Sequence, residues 1–205
     1  MSSVPITASV SVSALPQNEL LWRCSVEKYH QMIRAGIFTD DAPIELLEGL
    51  LVRKMTKNPP HTISTTRARH RLEEVIPAGW YVNSQEPITL DDSEPEPDVF
   101  IARGAFDDYI THHPFAEDVA LVIEVADSTL ERDRTTKRRV YARAGIPIYW
   151  IINLVGRGLE VYTNPTGQAE EPDYQESQIF ADDNTVPLRI DGREIAQIAV
   201  RTLLP

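Results

Sequence analysis

Residues 121–145 read LVIEVADSTLERDRTTKRRVYARAG. The first five, LVIEV, form the apolar run of a buried β-strand, yet the fourth of them is Glu124. An unpaired carboxylate inside such a strand is strongly destabilising, so it needs a partner. Further on, Asp133 stands where an N-cap would, and Gly145, with Pro147 beyond it, closes a helix expected over residues 134–144. On that helix Val140, Tyr141 and Ala144 make an apolar stripe. The position one turn earlier is Lys137, because 137, 140, 141 and 144 follow i, i+3, i+4, i+7. Lys137 is therefore expected to face the sheet and meet Glu124. Arg134, Arg138 and Arg139 point elsewhere, toward solvent or a bound anion. Taken alone, Glu124 and Lys137 describe a structural ion pair as well as they describe a site.

A third residue extends the pattern. In SEPEPDVFIA, residues 93–102, Asp98 opens a strand directly after Pro97, and the natural neighbour of that strand is the one carrying Glu124. Side chains opposite one another on paired strands have Cβ atoms about 5 Å apart, close enough for two carboxylates to share a divalent ion. Two anions held so closely repel unless a cation or proton lies between them. Oxygen ligands of this kind suit Mg²⁺ or Mn²⁺ better than zinc.

Around this centre the chain alternates helical and strand patterns. Ser25 caps a short helix, VEKYHQMIRAG, that ends at Gly36, and IELLEGLLVRKM (44–55) reads as two strands turning at Glu48-Gly49. Pro59-Pro60 breaks the chain before a helix over residues 61–76. Strands are expected at 80–90, 97–102 and 118–126, then at 148–154 with LEVYTN as a hairpin partner, and finally near 178–180 and 185–190. A mixed sheet flanked by helices would bury these segments, the helix after Asp133 serving as the crossover. Residues 1–18 read as a flexible arm and residues 19–205 as one domain.

Composition narrows the partners. Twenty Lys and Arg stand against 31 Asp and Glu, a net charge of −11 that opposes broad attraction to nucleic acid. Any phosphate-binding surface must then be local, and the six basic residues Arg132, Arg134, Lys137, Arg138, Arg139 and Arg143 offer one. No apolar run is long enough to span a bilayer and no leader pattern stands at the N-terminus, so a cytoplasmic protein with no membrane contact is expected. Cys24, the one cysteine, excludes an intrachain disulfide and a multi-thiolate zinc site and reads as a packed side chain.

Pro97-Asp98, Glu124-Val125-Ala126 and Lys137 resemble the PD-(D/E)XK nuclease signature, and the order of elements resembles the restriction-endonuclease-like α/β core with additional hairpins. More closely, ELLEG (45–49), PEPDVFI (95–101), the run from Leu121 to Ile152 and LEVY (159–162) resemble the Uma-two-type endonucleases over roughly residues 20–165. The resemblance implies a Mg²⁺- or Mn²⁺-dependent hydrolase of DNA phosphodiester bonds, with Asp98 and Glu124 as metal ligands and Glu45, Asp98, Glu124 and Lys137 as catalytic residues. It implies DNA as partner, with Arg134 and Arg138 on its backbone, and admits a homodimer. Two positions depart from the pattern. Ala126 stands where the superfamily's lysine follows the glutamate, so Lys137 is implied to supply the amine from the helix; Leu50 stands where relatives often carry a glutamate. A nuclease fold kept for interaction alone, or an enzyme acting on RNA, fits the same residues. His61 could reach the site or merely cap its helix, Gln85 could border the cleft, and His112-His113 read as a solvated loop. Tyr149 and Trp150 read as strand and core aromatics.

Overall fold

A computed structural model describes residues 21–38 and 42–205; the arm expected over residues 1–18 lies outside the described residues. Its centre is β5 (Val119–Ala126), buried at every position. Parallel to it runs β6 (Ile148–Asn153), and the remaining pairings of the six-stranded sheet are antiparallel: β3 (Trp80–Asn83), β4 (Val99–Arg103), β5, β6, β7 (Gly158–Pro165), β8 (Tyr174–Ala181), in that order. Two parallel neighbours cannot be joined by a tight turn, so the intervening segment must cross one face of the sheet, and it does so as a helix. The expected mixed α/β sheet is observed.

Period-two alternation on β5 divides the core. Leu121, Ile123 and Val125 face Ala68 and Leu72 of α2 (Pro59–Glu73), together with Val186, Leu188 and Ile198 of a C-terminal hairpin formed by β9 (Thr185–Ile190) and β10 (Arg193–Ala199). Val122 and Ala126 face the other way, against Val140, Tyr141 and Tyr149. The crossover helix, α3, lies on this second face. It begins as an α-helical turn, Leu130–Arg132, passes through a π-helical turn, Asp133–Lys137, and resumes as α-helix over Arg138–Arg143. The N-cap expected of Asp133 is therefore corrected. Asp133 is a buried residue inside the helix, and its carboxylate accepts a hydrogen bond from the Thr129 hydroxyl at 2.6 Å. Thr129, before Leu130, takes the N-terminal position with no side-chain cap bond.

The first hairpin pairs β1 (Ile44–Leu47) with β2 (Leu50–Arg53) apart from the main sheet. Glu48 (φ 50°) and Gly49 (φ 75°) both lie in the left-handed region, as a two-residue type I′ turn requires. Leu46 packs with Cys24 and with Tyr29 of α1 (Val26–Arg34), whose N-terminus Ser25 caps as expected. Two expected boundaries moved. Pro59-Pro60 does not break the chain; it fills the first turn of α2 behind the cap Asn58, where proline's missing N–H has no consequence. The strand expected over residues 80–90 stops at Asn83, because Gln85 adopts φ 60° and leaves the ladder. Among the described residues no helix is long and apolar enough to cross a membrane.

Candidate active site

The β4–β5 register pairs Val99 with Ile123 and Phe100 with Val122; continued one step, it sets Asp98 against Glu124. Alternation places Asp98 on the side of Phe100 and Glu124 on the side of Val122, and both of those residues belong to the layer under α3. The two carboxylates thus occupy one face of the sheet. Asp98 is anchored through Oδ2, which accepts the Val125 N–H at 2.8 Å and meets His61 Nε2 at 3.1 Å. His61 stands in the first turn of α2, placed there by the Asn58 cap that binds its own N–H at 3.1 Å.

From α3, Lys137 Nζ donates to Glu124 Oε1 at 3.1 Å and to Glu45 Oε2 at 2.7 Å. The apolar-stripe argument therefore places this amine correctly. Tyr141, one turn on, donates its hydroxyl to the same Glu124 Oε1 at 2.6 Å. Glu45 reaches the group from β1, and the Glu96 N–H at 3.3 Å also holds it. Glu124, Lys137 and Glu45 are all buried, so their charges interact with little screening from water.

The acid–base consequences follow from that geometry. Burial, which Lys137 only partly offsets, pushes Glu124 up to about 8, and the carboxylates of Asp98, Asp133 and Glu45 add to the rise. Burial also works against the Lys137 ammonium, but Glu124 and Glu45 outweigh it and keep the lysine charged above its ordinary range. Asp133 is raised to about 6, mainly by burial. Burial likewise opposes a charged His61, yet its bond to Asp98 and that carboxylate's charge prevail and raise it.

These groups line one small cleft of about 70 Å³, with Gln85, Lys54, Lys57, Asn58 and Arg132 around it. The structure brings Glu45, Asp98, Glu124 and Lys137 together there. It does not bring Arg134 or Arg138: Arg134 grips Glu160 through two bonds of 2.9 and 2.6 Å, and Arg138 binds Asp173 at 2.7 Å, both away from the cleft. His61 is closer to the chemistry than a capping histidine would be. His112 stacks on Phe115 in an exposed loop, remote from the cleft. Sequence reasoning gave no separate role to Arg132, misplaced Asp133, and treated Tyr141 as apolar packing. The signal for Tyr141 existed, since a hydroxyl-bearing residue four positions after Lys137 lay on the stripe facing a buried glutamate.

The donor set fits a hard divalent cation in one particular way. Asp98 uses only Oδ2 and Glu124 only Oε1 in hydrogen bonds among the described residues, while Oδ1 and Oε2 are neither bonded nor sealed from solvent. No group of three or more His, Cys, Asp or Glu side chains converges on a metal position among the described residues. An ion held here would complete its shell with water or substrate oxygens, as Mg²⁺ held by one or two carboxylates does.

Comparison with known proteins bears on this arrangement. The Uma2 family model, described as "Putative restriction endonuclease", matches residues 26–197. Among solved structures, "a putative nuclease belonging to DUF820" from Anabaena variabilis superposes with a TM-score of 0.65 at 14% identity, covering 87% of this chain and 96% of that one. No curated protein matches the chain.

Proposed function

The chain belongs to the Uma2 family, and on that premise we propose that it is a Mg²⁺- or Mn²⁺-dependent endonuclease that hydrolyses DNA phosphodiester bonds at the cleft of Glu45, Asp98, Glu124 and Lys137. One observation carries the reading: two carboxylates on the same sheet face line the cleft, each anchored through one oxygen while the other makes no hydrogen bond among the described residues. Asp98 and Glu124 would hold the metal. When bound, it would polarise the scissile phosphate and acidify a bound water. Lys137 keeps its charge at neutral pH and would hold the attacking water or offset the charge gathering on the phosphate. Tyr141 and Lys137 fix the Glu124 carboxylate, while His61 and the Val125 N–H fix Asp98, so neither ligand has to reorganise when substrate arrives. Glu45 holds the Lys137 ammonium in place from the opposite side.

The test is incubation with plasmid, linear DNA and RNA across Mg²⁺ and Mn²⁺ concentrations, beside Glu124→Gln. Metal-dependent cleavage of DNA by the natural chain alone is expected. Absence of cleavage of every substrate, together with a melting temperature that ignores millimolar Mn²⁺, would end the assignment. A second reading draws on Lys137 itself, whose ammonium is already bonded to both Glu45 and Glu124: the charges could be structural, in a protein that keeps the fold for interaction. That reading predicts no metal response at all. Cleavage of RNA in place of DNA would retain the site and change the substrate.

A further inference from the structure

The cations lining the cleft fall into two kinds. Lys137 is held by Glu45 and Glu124, Lys54 donates to both oxygens of Glu96 at 2.8 Å, and His61 meets Asp98. Arg132 and Lys57 are different. Among the described residues Arg132 makes one hydrogen bond, from Nη1 to the Arg53 carbonyl at 3.3 Å, and its Nη1 stands 3.8 Å from Glu45 Oε1, an ion pair beyond hydrogen-bond reach, while Lys137 holds the other oxygen of that carboxylate. A guanidinium carries five N–H donors in a planar fork matched to phosphate. Among the described residues most of them find no partner, and Nε is a buried N–H with none. Buried polar groups of that kind call for an explanation, often a ligand or ion. The Arg132 side chain is 27% exposed, so the guanidinium is open to the cleft it lines. Lys57, exposed on the rim, pairs with no carboxylate among the described residues.

Elsewhere the basic residues of α3 are consumed. Arg134 and Arg138 are held by Glu160 and Asp173, and Arg139 and Arg143 by Glu48 and Asp92. With a net charge of −11, the surface as a whole repels a polyanion. We propose that Arg132 and Lys57 form a phosphate-binding lip that holds the nucleic-acid backbone beside the scissile bond. This rests on the reading of the cleft as a nuclease site and names the residues through which an acidic protein takes up its anionic substrate. The contacts are to phosphate, so they position the strand without reading its sequence.

The test is fluorescence anisotropy with labelled duplex and single-stranded oligonucleotides in Ca²⁺, over a series of salt concentrations, with cleavage in Mn²⁺ measured in parallel. Arg132→Gln and Lys57→Gln should each weaken binding about tenfold, the loss of one charge-assisted contact, and should flatten the salt dependence by about one unit of slope. The loss should be the same for unrelated sequences. Arg132→Lys should recover the slope while keeping part of the affinity loss, and Arg138→Gln should match the natural chain. Because Arg132→Gln could disturb folding, melting curves accompany each variant, and surface-exposed Lys57→Gln supplies the independent reading. Natural affinity and slope in both glutamine variants would overturn the lip, and so would an equal loss in Arg138→Gln or no binding of any oligonucleotide by the natural chain. Binding of the expected kind without cleavage would leave the lip standing and overturn the nuclease reading. Cleavage undiminished by both substitutions would do the reverse.

Discussion

The two faces of the central sheet are built from the same strands but carry different side chains. On one, Leu121, Ile123 and Val125 meet α2 and the C-terminal hairpin in an apolar layer, mostly aliphatic, that includes Val186, Leu188 and Leu203 beside Trp150 and Phe180. On the other, Val122 and Ala126 flank Glu124, and the layer admits the charges of Lys137 and Glu45 and the hydroxyls of Tyr141 and Tyr149. Aliphatic burial is close to additive and non-directional. A charge held in the same low-dielectric surroundings depends on every partner it has. The first face can therefore lose a methyl group and keep its arrangement, whereas the second changes its protonation or geometry when one group is removed.

The sharpest way to break the comparison is Lys137→Met, which keeps much of the packing volume and removes the charge. It leaves Glu45, and Glu124 wherever that carboxylate is ionised, without a cation, and a loss of about 3–5 kcal/mol is expected in urea denaturation above the Glu124 value of about 8, together with a fall in cleavage of about 100-fold or more. Leu121→Ala on the apolar face should cost about 2–5 kcal/mol, with cleavage per folded molecule unchanged. If the two substitutions affect activity alike, the faces do not divide the labour as described.

Metal provides the next test. At about 100 times its dissociation constant, Mg²⁺ or Mn²⁺ should stabilise the natural chain by about 2.7 kcal/mol by mass action, and Asp98→Asn or Glu124→Gln should abolish that gain. The gain should also depend on pH. Glu124 sits near 8 when folded against 4.5 as its ordinary value, and Asp133 near 6 against 3.8. Between each pair of values the folded protein binds more protons than the unfolded one, so stability without metal falls as pH rises through that window. His61, raised by Asp98, contributes in the same direction: its stabilisation is present below its ordinary value of 6.5 and lost as pH rises through the folded one. Metal needs the ionised carboxylate, so its stabilisation should grow from pH 6 to pH 8.5 as the intrinsic stability declines. Denaturation curves across that range check both trends, and Glu124→Gln should flatten the first. The smallest effect is expected from Arg138→Gln. Its partner Asp173 is half exposed, and such surface pairs are worth about 0.2–1 kcal/mol.

Much of this was legible in the sequence wherever a residue's position followed from period alone. The stripe 137, 140, 141, 144 placed the Lys137 amine, and the expected pairing of their strands set Asp98 opposite Glu124. What escaped depended on backbone detail that no period carries. The π-helical turn at Asp133–Lys137 moved the helix start to Leu130 and turned an expected cap into a buried carboxylate. The pairing of Arg134 with Glu160 joins residues 26 positions apart, and nothing local to either announces it. One omission was avoidable: Asp191-Gly192, at φ 50° and 75°, is a strong two-residue hairpin signal, and it turns β9 into the unanticipated β10.

The first hairpin has a consequence for how the molecule comes into being. β1 and β2 share no ladder with the central sheet, and their turn is held to α3 by Arg139 and Arg143 on Glu48. Glu45 lies 92 positions from the lysine it touches. Contacts that distant form only after long loops have closed, so during synthesis the carboxylate of β1 emerges well before its counter-charge exists. The cleft is complete only when the early and late parts of the chain have met, and a half-made or frayed molecule carries Glu45 and Lys137 apart.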